Sequence, residues 1–243
     1  MNPSIYSSTD PRQNQLLAAL PQAEWARWKG QLEPVDLALG QVLCEASSTP
    51  SHVVFPTTAV VSLICMTRDG ATAEVAVVGS DGVVVVPLLM GGGATTNRAV
   101  VQNAGLGFRL RAQVLKDEVA HGGPVLALLL RHTRSMVTQM TQTALCNRYH
   151  SIDQQVCRRL LTGLDQSSCD ELVMTQELVA GLLGVRRESV TAAAVKLQQA
   201  GVIRYWRGHI AVLDRRRLEE RACECYAAAR PACDHQPEMA LAA

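Results

Sequence analysis

Between about Leu32 and Arg111 the chain is a succession of short β-branched runs. Val53-Val54-Phe55, Val60 to Ile64, Glu74 to Val78, Val83 to Val86, Ala99-Val100-Val101 and Gly107 to Leu110 are the clearest. Turn residues separate them: Ala38-Leu39-Gly40, Ser47 to Pro50, Arg68-Asp69-Gly70, Gly79 to Gly82, Gly91-Gly92-Gly93 and Asn103-Ala104-Gly105. Many short strands at this spacing close an antiparallel sandwich or barrel rather than a sheet interleaved with helices. Near Ala112 the strand pattern stops and helical periodicity takes over. A chain that changes period in this way reads as α+β, an antiparallel β-roll followed by helices.

Ahead of the roll, Leu16, Leu17, Leu20, Trp25 and Trp28 mark a short amphipathic helix restarted at Pro21. After it, Gln113 to Ala120 reads as a short helix, and Gly122-Gly123-Pro124 opens a long one that runs to about Asn147. Val125, Leu129, His132, Met136, Gln139, Thr143 and Cys146 recur by fours and threes along it, a heptad seam that predicts a dimer interface. A second stripe, Leu126, Leu130, Val137, Met140 and Ala144, lies beside the first. Two stripes suit a helix packed both on its own domain and on a partner, and a core helix of a monomer is the alternative. Ser151 caps a following helix, Ile152 to about Leu164. The expected organisation is a β-roll domain over 1–123, a dimerisation helix over 124–150, a C-terminal domain over 151–230 and a flexible tail over 231–243.

With 48% apolar and 19% charged residues, the chain can bury a core. Its longest apolar run, Val83 to Met90, is broken by Pro87 and far short of the roughly 20 residues a spanning helix needs. The polar N-terminus lacks the layout of a signal peptide, so a cytoplasmic, reducing setting is expected, with no membrane association. The eight cysteines then read as free thiols. Cys223, Cys225 and Cys233 with His235 are the one cluster. A Cys-x-Cys pair inside a helix points its thiols about 200° apart, so no metal site is expected there. No Ser-His-Asp, metal-ligand or phosphate-loop motif stands at useful spacing, which argues against an enzyme, and no cofactor is implied.

The segment from Met174 to Arg217 carries the strongest signal. Thr175 caps a short helix with Glu177 in its first turn and Leu178, Leu182 and Leu183 as its buried side. Gly184 allows a tight turn, and a second helix runs from about Arg187 to Ala200 with Val190, Ala194 and Leu197 inward. Gly201 ends it. Val202 to Trp206 and His209 to Leu213 flank Arg207-Gly208 as a β-hairpin, which completes a winged helix-turn-helix. Eight positive charges face three negative ones between 174 and 217, although the whole chain is only +1. Such a local excess suits DNA phosphates. Arg186, Arg187, Glu188, Ser189, Thr191 and Ala192 stand where a recognition helix enters the major groove, with Lys196, Arg204 and Arg207 as further basic contacts. The alternative is a ligand-binding or protein-interaction scaffold whose winged helix contacts protein.

The stretch Met174-Thr175-Gln176-Glu177-Leu178, with Leu183-Gly184-Val185-Arg186-Arg187-Glu188-Ser189-Val190, resembles the helix-turn-helix of the Crp–Fnr family, relatives of the cyclic-AMP receptor protein. The order of β-roll, long helix and linking helix is similar as well. The resemblance implies a cyclic-nucleotide-binding-like roll and a homodimer on double-stranded DNA with a two-fold operator. It also implies contact with RNA polymerase if the protein is an activator. The family's Arg-Glu pair falls on Arg187-Glu188. Ala192 replaces a second base-reading arginine, and Arg186 replaces a small capping residue. In the roll, the ribose- and phosphate-binding pairs of cyclic-nucleotide binders fall on Val85-Val86 and Asn97-Arg98. Valine offers a ribose no acceptor, so cyclic AMP is not expected in the usual mode. Thr95, Thr96 and Arg98 beside the three glycines form either an anion cradle or a hairpin loop, and the effector is unknown. No cysteine precedes Cys44 for an iron–sulfur sensor, and His52 and His132 read as ordinary surface or core residues rather than haem ligands.

Overall fold

A computed structural model describes residues 10–84, 94–166 and 171–229. Val85, Val86, Gly91 to Gly93, Cys169, Cys233, His235 and the tail from 231 lie outside the described residues.

The chain enters through a 3-10 turn, Pro11–Gln13, then α1 (Gln15–Ala18) and α2 (Gln22–Trp28), with Pro21 at the restart. Asn14 fixes this entry. It is fully buried, its Oδ1 accepts from the Leu16 and Leu17 N–H groups, and its amide donates to the carbonyls of Pro56 and Gly82 at 2.8 Å each. A buried amide with its bonds made holds the helix to two separate loops of the roll.

The roll holds β1 (Glu33–Leu37), β2 (Val42–Cys44), β3 (His52–Pro56), β4 (Val60–Met66), β5 (Thr72–Val78), β6 (Arg98–Asn103) and β7 (Gly105–Arg111). They form two antiparallel sheets, ordered β1-β7-β3 and β2-β6-β4-β5. Val84 adds a single bridge to Val54. Alternation places Val61, Leu63, Ala99 and Val101 in the interior, while Trp28, Phe55 and Leu110 form a second core under the N-terminal helices. The short β1 and β2 carry no β-branched run like the others, and pairing with β7 and β6 makes them strands.

Then come α3 (Ala112–His121), α4 (Pro124–Tyr149) and α5 (Ile152–Gln166). The predicted interface seam on α4 turns toward its own roll. Val125, Leu129 and Met136 are at most 2% exposed and sit in the two roll cores. The polar members of the seam find partners in the same chain: His132 Nε2 lies 3.1 Å from the Val83 carbonyl, Gln139 accepts from the Val77 N–H, and Thr143 accepts from Arg158. Burial holds the His132 pKa below the usual imidazole range, so the neutral ring donates to Val83. The exposed stripe is the second one, with Leu130 56% and Val137 53% exposed. The two stripes share one spacing and differ by a rotation of about 100°, which periodicity cannot resolve.

Arg159 of α5 is 3% exposed and its Nε lies 2.8 Å from Glu74 Oε1 of β5. Its Nη2 also bonds Glu74 and Gln102, and Ser62 Oγ stands 2.5 Å from Glu74 Oε2. Burial works against the Arg159 charge and Glu74 opposes that cost. Removing one partner strands the other charge. Arg159→Ala or Glu74→Ala is therefore expected to lower stability by about 3–5 kcal/mol, whereas Arg159→Met with Glu74→Leu recovers most of the loss. Urea unfolding of the three variants checks this, and additive losses in the double variant contradict it.

Candidate nucleic-acid interface

After α5 the chain forms β8 (Glu171–Val173), α6 (Gln176–Leu183), α7 (Arg187–Gln199), β9 (Ile203–Trp206), β10 (His209–Val212), α8 (Arg215–Glu219) and α9 (Cys225–Ala229). Thr175 Oγ1 accepts from the Leu178 N–H and starts α6. Gly184 ends it at φ +66°, a left-handed conformation that glycine adopts without strain. The buried side of α6 is Val179, Ala180, Leu182 and Leu183. Leu178, expected inside, is 36% exposed, because the helix rotates to bring Val179 and Ala180 against α7 and α5. In α7, Val190, Ala193, Ala194 and Leu197 face the core, two of them alanines that let the helices approach closely.

The hairpin β9–β10 is joined by β8 in the order β8-β10-β9. Sequence reading missed β8, since Glu171-Leu172-Val173 is too short to show alternation. The wing is tied to the helices. Tyr205 Oη accepts from the Gln176 N–H at 3.3 Å, and Gln198 accepts from the Tyr205 N–H. At its tip, Arg207 takes φ +43° before Gly208, Trp206 stacks on His209, and the Arg204 guanidinium lies 5.0 Å over the Trp206 ring. The wing thus presents two arginines on an aromatic base.

Arg186, Arg187, Glu188 and Ala192 are exposed at the start and along the outer side of α7. Ser189 and Thr191 are half-buried. Thr191 Oγ1 donates to Gln176 at 2.7 Å, which ties α7 to α6 and leaves little for an outside partner. Arg187 stands 3.8 Å from Glu177, a loose and exposed pairing. Lys196 lies on a different side, with its Nζ 2.7 Å from Asp153 of α5. Among the arginines after the wing, Arg215 pairs with Asp165 and Glu219, and Arg216 stands 3.7 Å from Glu220. Lys196 and Arg215 are thus closely held by carboxylates, while Arg186, Arg187, Arg204, Arg207 and Arg216 stand exposed, Arg187 and Arg216 in loose pairings. Val195 and Gln199 extend the exposed face, in line with Glu188 and Ala192 at intervals of four and three residues. That spacing was visible in the sequence but was not used.

Of the sensor candidates, Thr95, Thr96, Asn97 and Arg98 fall among the described residues, and each has its own local contacts or exposure. Thr95 is buried and its hydroxyl closes a turn on Asn97, Asn97 accepts from Cys65 Sγ, and Thr96 is exposed. Arg98 pairs with Glu45 at 3.1 Å, while its neighbours Ala99 and Val101 face the interior. A cleft of about 520 Å³ opens elsewhere in the roll, lined by Val35, Leu37, Cys44, Ser51, His52 and Arg109 among others and by none of Thr95 to Arg98.

This geometry is matched in known proteins. The family model for the Crp-like helix-turn-helix domain matches residues 154–221. Residues 154–221 are a Crp-like helix-turn-helix domain. The match spans most of α5, the two Crp-like helices and the wing, and ends just past α8. No curated protein matches the sequence. Among solved structures, FixK2 from Bradyrhizobium japonicum is similar with a TM-score of 0.68 and 15% identity, over 79% of this chain and 98% of that one. A CRP/FNR-family transcriptional regulator from Thermus thermophilus aligns with a TM-score of 0.64 and 19% identity, over 78% and 98%. The c-di-GMP responsive regulator CLP from Xanthomonas campestris aligns at 0.60 and 13%, over 79% and 99%. Over the aligned part the chain thus carries the CRP fold, with α4 as its long helix and the Crp-like helix-turn-helix after it. None of the described helices is long and apolar enough to cross a membrane.

Gly184 holds the angle between the two Crp-like helices, and a Cβ there would also meet Ala73 at 3.5 Å. Gly184→Ala is expected to cost about 1–2 kcal/mol through the left-handed backbone alone. Thermal unfolding measures this, and an unchanged midpoint would show that the turn relaxes.

Proposed function

We propose that the chain is a homodimeric, sequence-specific transcription regulator that reads a two-fold DNA site with the first turns of α7. The observation that carries this reading is the exposed Arg186-Arg187-Glu188 start of α7, beside an arginine-bearing wing and inside a Crp-like helix-turn-helix. Arg187 suits bidentate pairing to guanine and Glu188 suits a cytosine amino group. Ala192 and Val195 bring apolar surface to the groove, suited to thymine methyls. Arg204 and Arg207 suit flanking phosphates. Such a role places the protein with the chromosome in the cytoplasm, without enzymatic activity of its own.

Operator selection followed by gel shift tests the reading. Arg187→Ala is expected to lose roughly 1–3 kcal/mol of discrimination, while Lys196→Ala, already paired to Asp153, leaves the sequence preference unchanged. Equal binding to all sequences by the native protein would favour the protein-contact alternative.

The dimer would form through the outward stripe of α4. Leu130 and Val137 stand seven residues apart with half-buried Leu126 and Met140 and exposed Ala144 along the same line, an apolar seam that the chain itself leaves open. Replacing both Leu130 and Val137 by Glu is expected to give a folded monomer by sedimentation and to weaken operator binding by at least tenfold. A dimer that persists in that variant would move the interface elsewhere.

The effector is proposed not to be cyclic AMP in the usual mode, since Arg98 is engaged by Glu45 on the outer side of its strand and Val85-Val86 lack ribose acceptors. RNA polymerase would be a further partner if the regulator activates.

A further inference from the structure

Four side chains that no part of the DNA-reading machinery uses meet where α4 gives way to α5. Cys146 is on the last turns of α4, His150 is the residue that ends it, and Cys223 and Cys225 come from the C-terminal segment. Their ligand atoms all lie within 4.8 Å of one another. Cys146 Sγ and Cys223 Sγ are 3.5 Å apart, and Cys225 Sγ is 3.6 Å from His150 Nδ1. The edge of a tetrahedron with Zn–S bonds of about 2.3 Å is roughly 3.8 Å. The three cysteines are buried, which leaves them no water as partner.

The helical geometry that argued against chelation does not apply. Cys223 precedes α9, in the turn whose carbonyl accepts from the Tyr226 N–H, and Cys225 is the first residue of α9, so the two thiols converge instead of diverging. Cys146, 77 residues away, supplies the third sulfur.

Two surrounding groups fit a metal centre and are otherwise unexplained. His150 turns Nδ1 toward the thiols and Nε2 toward the Glu224 carboxylate at 3.2 Å, the arrangement by which a carboxylate orients and strengthens a ligating imidazole. Arg158 is buried, its contacts to Thr143 are 3.4 and 3.5 Å long, and its Nε has no hydrogen-bond partner among the described residues. Three thiolates and a neutral imidazole around a divalent cation carry one net negative charge. That is the counter-charge Arg158 lacks, and its field reaches Cys146 and Cys225.

We infer that Cys146, His150, Cys223 and Cys225 bind one Zn(II) ion tetrahedrally, clamping the C-terminal segment across the junction of the long helix and the DNA-binding domain. A Cys₃His set is a structural zinc arrangement, with all four positions taken by the protein and none open to an outside ligand. Binding replaces three S–H protons by the metal and releases them to solvent.

The test uses the full chain, purified reduced and metal-free. Titration with Co(II) is expected to reach about one equivalent per chain, with the strong visible bands of tetrahedral cobalt, a thiolate-to-cobalt charge-transfer band, and displacement of both by Zn(II). Cys223→Ser with Cys225→Ser is expected to abolish these bands, Cys157→Ser to keep them, and His150→Cys to keep binding with a stronger charge-transfer band. X-ray absorption of the zinc-loaded native protein needs no variant and is expected to show three sulfurs and one nitrogen. A nitrogen–oxygen shell, an octahedral cobalt spectrum, bands that survive the double Ser substitution, iron with acid-labile sulfide, or a Cys146–Cys223 disulfide that forms without metal affinity would each overturn the proposal. The readout is metal binding alone and stands apart from whether the chain reads DNA.

Discussion

Arg159 carries its charge to a place water does not reach, and the placement of the DNA-binding half depends on it. A buried guanidinium costs several kcal/mol unless an anion meets it with good geometry. Glu74 of β5 does so, with Ser62 of β4 donating to the same carboxylate and Gln102 of β6 accepting from Arg159 Nη2. Three strands of one sheet therefore converge on one residue of α5. Because α5 shares one core with α6 and α7, fixing α5 fixes the helix-turn-helix. Thr72, whose hydroxyl donates to the Gly181 carbonyl at 3.1 Å, holds α6 to the same strand as Glu74. An apolar contact would tolerate sliding, whereas a buried ion pair with four participants tolerates one register.

The same logic decides how α4 divides its surface. Its inward stripe mixes Val125, Leu129 and Met136 with His132, Gln139 and Thr143, and each polar member meets a group fixed in the same chain. Polar residues in a heptad seam are tolerated only where partners wait for them. Here those partners are the Val83 carbonyl, the Val77 N–H and Arg158. The outward stripe, with Leu130 and Val137, has no such groups opposite it and is uniformly apolar or small. A second copy of α4 would cover it without needing to satisfy a polar residue.

The period change at Ala112, the helix starts at Pro124 and Ser151, and the wing around Arg207-Gly208 were legible because each has a local cause: proline geometry, capping chemistry or turn residues. The choice of α4 stripe was not legible, since two lines of identical spacing differ only in what faces them. Leu178 and Lys196 were misplaced for a related reason. Their helices were read correctly, but rotation about the helix axis is set by neighbours such as Asp153, far away in sequence. Thr95 and Asn97 close a turn and Arg98 pairs with Glu45, contacts between side chains that spacing along the sequence does not show. The thiol cluster was invisible because its first member stands 77 residues from the rest and because a local helical assumption was applied to Cys223, which is not helical.

Arg158 and Arg159 are adjacent on α5 and so point about 100° apart. Arg159 meets Glu74 of the roll, and Arg158 meets the edge of the Cys₃His cluster. The two cations divide the docking of α5 between the Glu74 carboxylate and a cluster whose charge depends on its occupant. With zinc bound, the proposed centre is anionic and Arg158 is matched. Without it, the Thr143 hydroxyl is the hydrogen-bond partner that Arg158 has among the described residues, and no carboxylate pairs with it there. One face of α5 would then be anchored as before and the neighbouring face would hold an uncompensated charge. That second face looks toward Thr143 near the end of α4, so metal occupancy would bear on how α5 packs against the long helix.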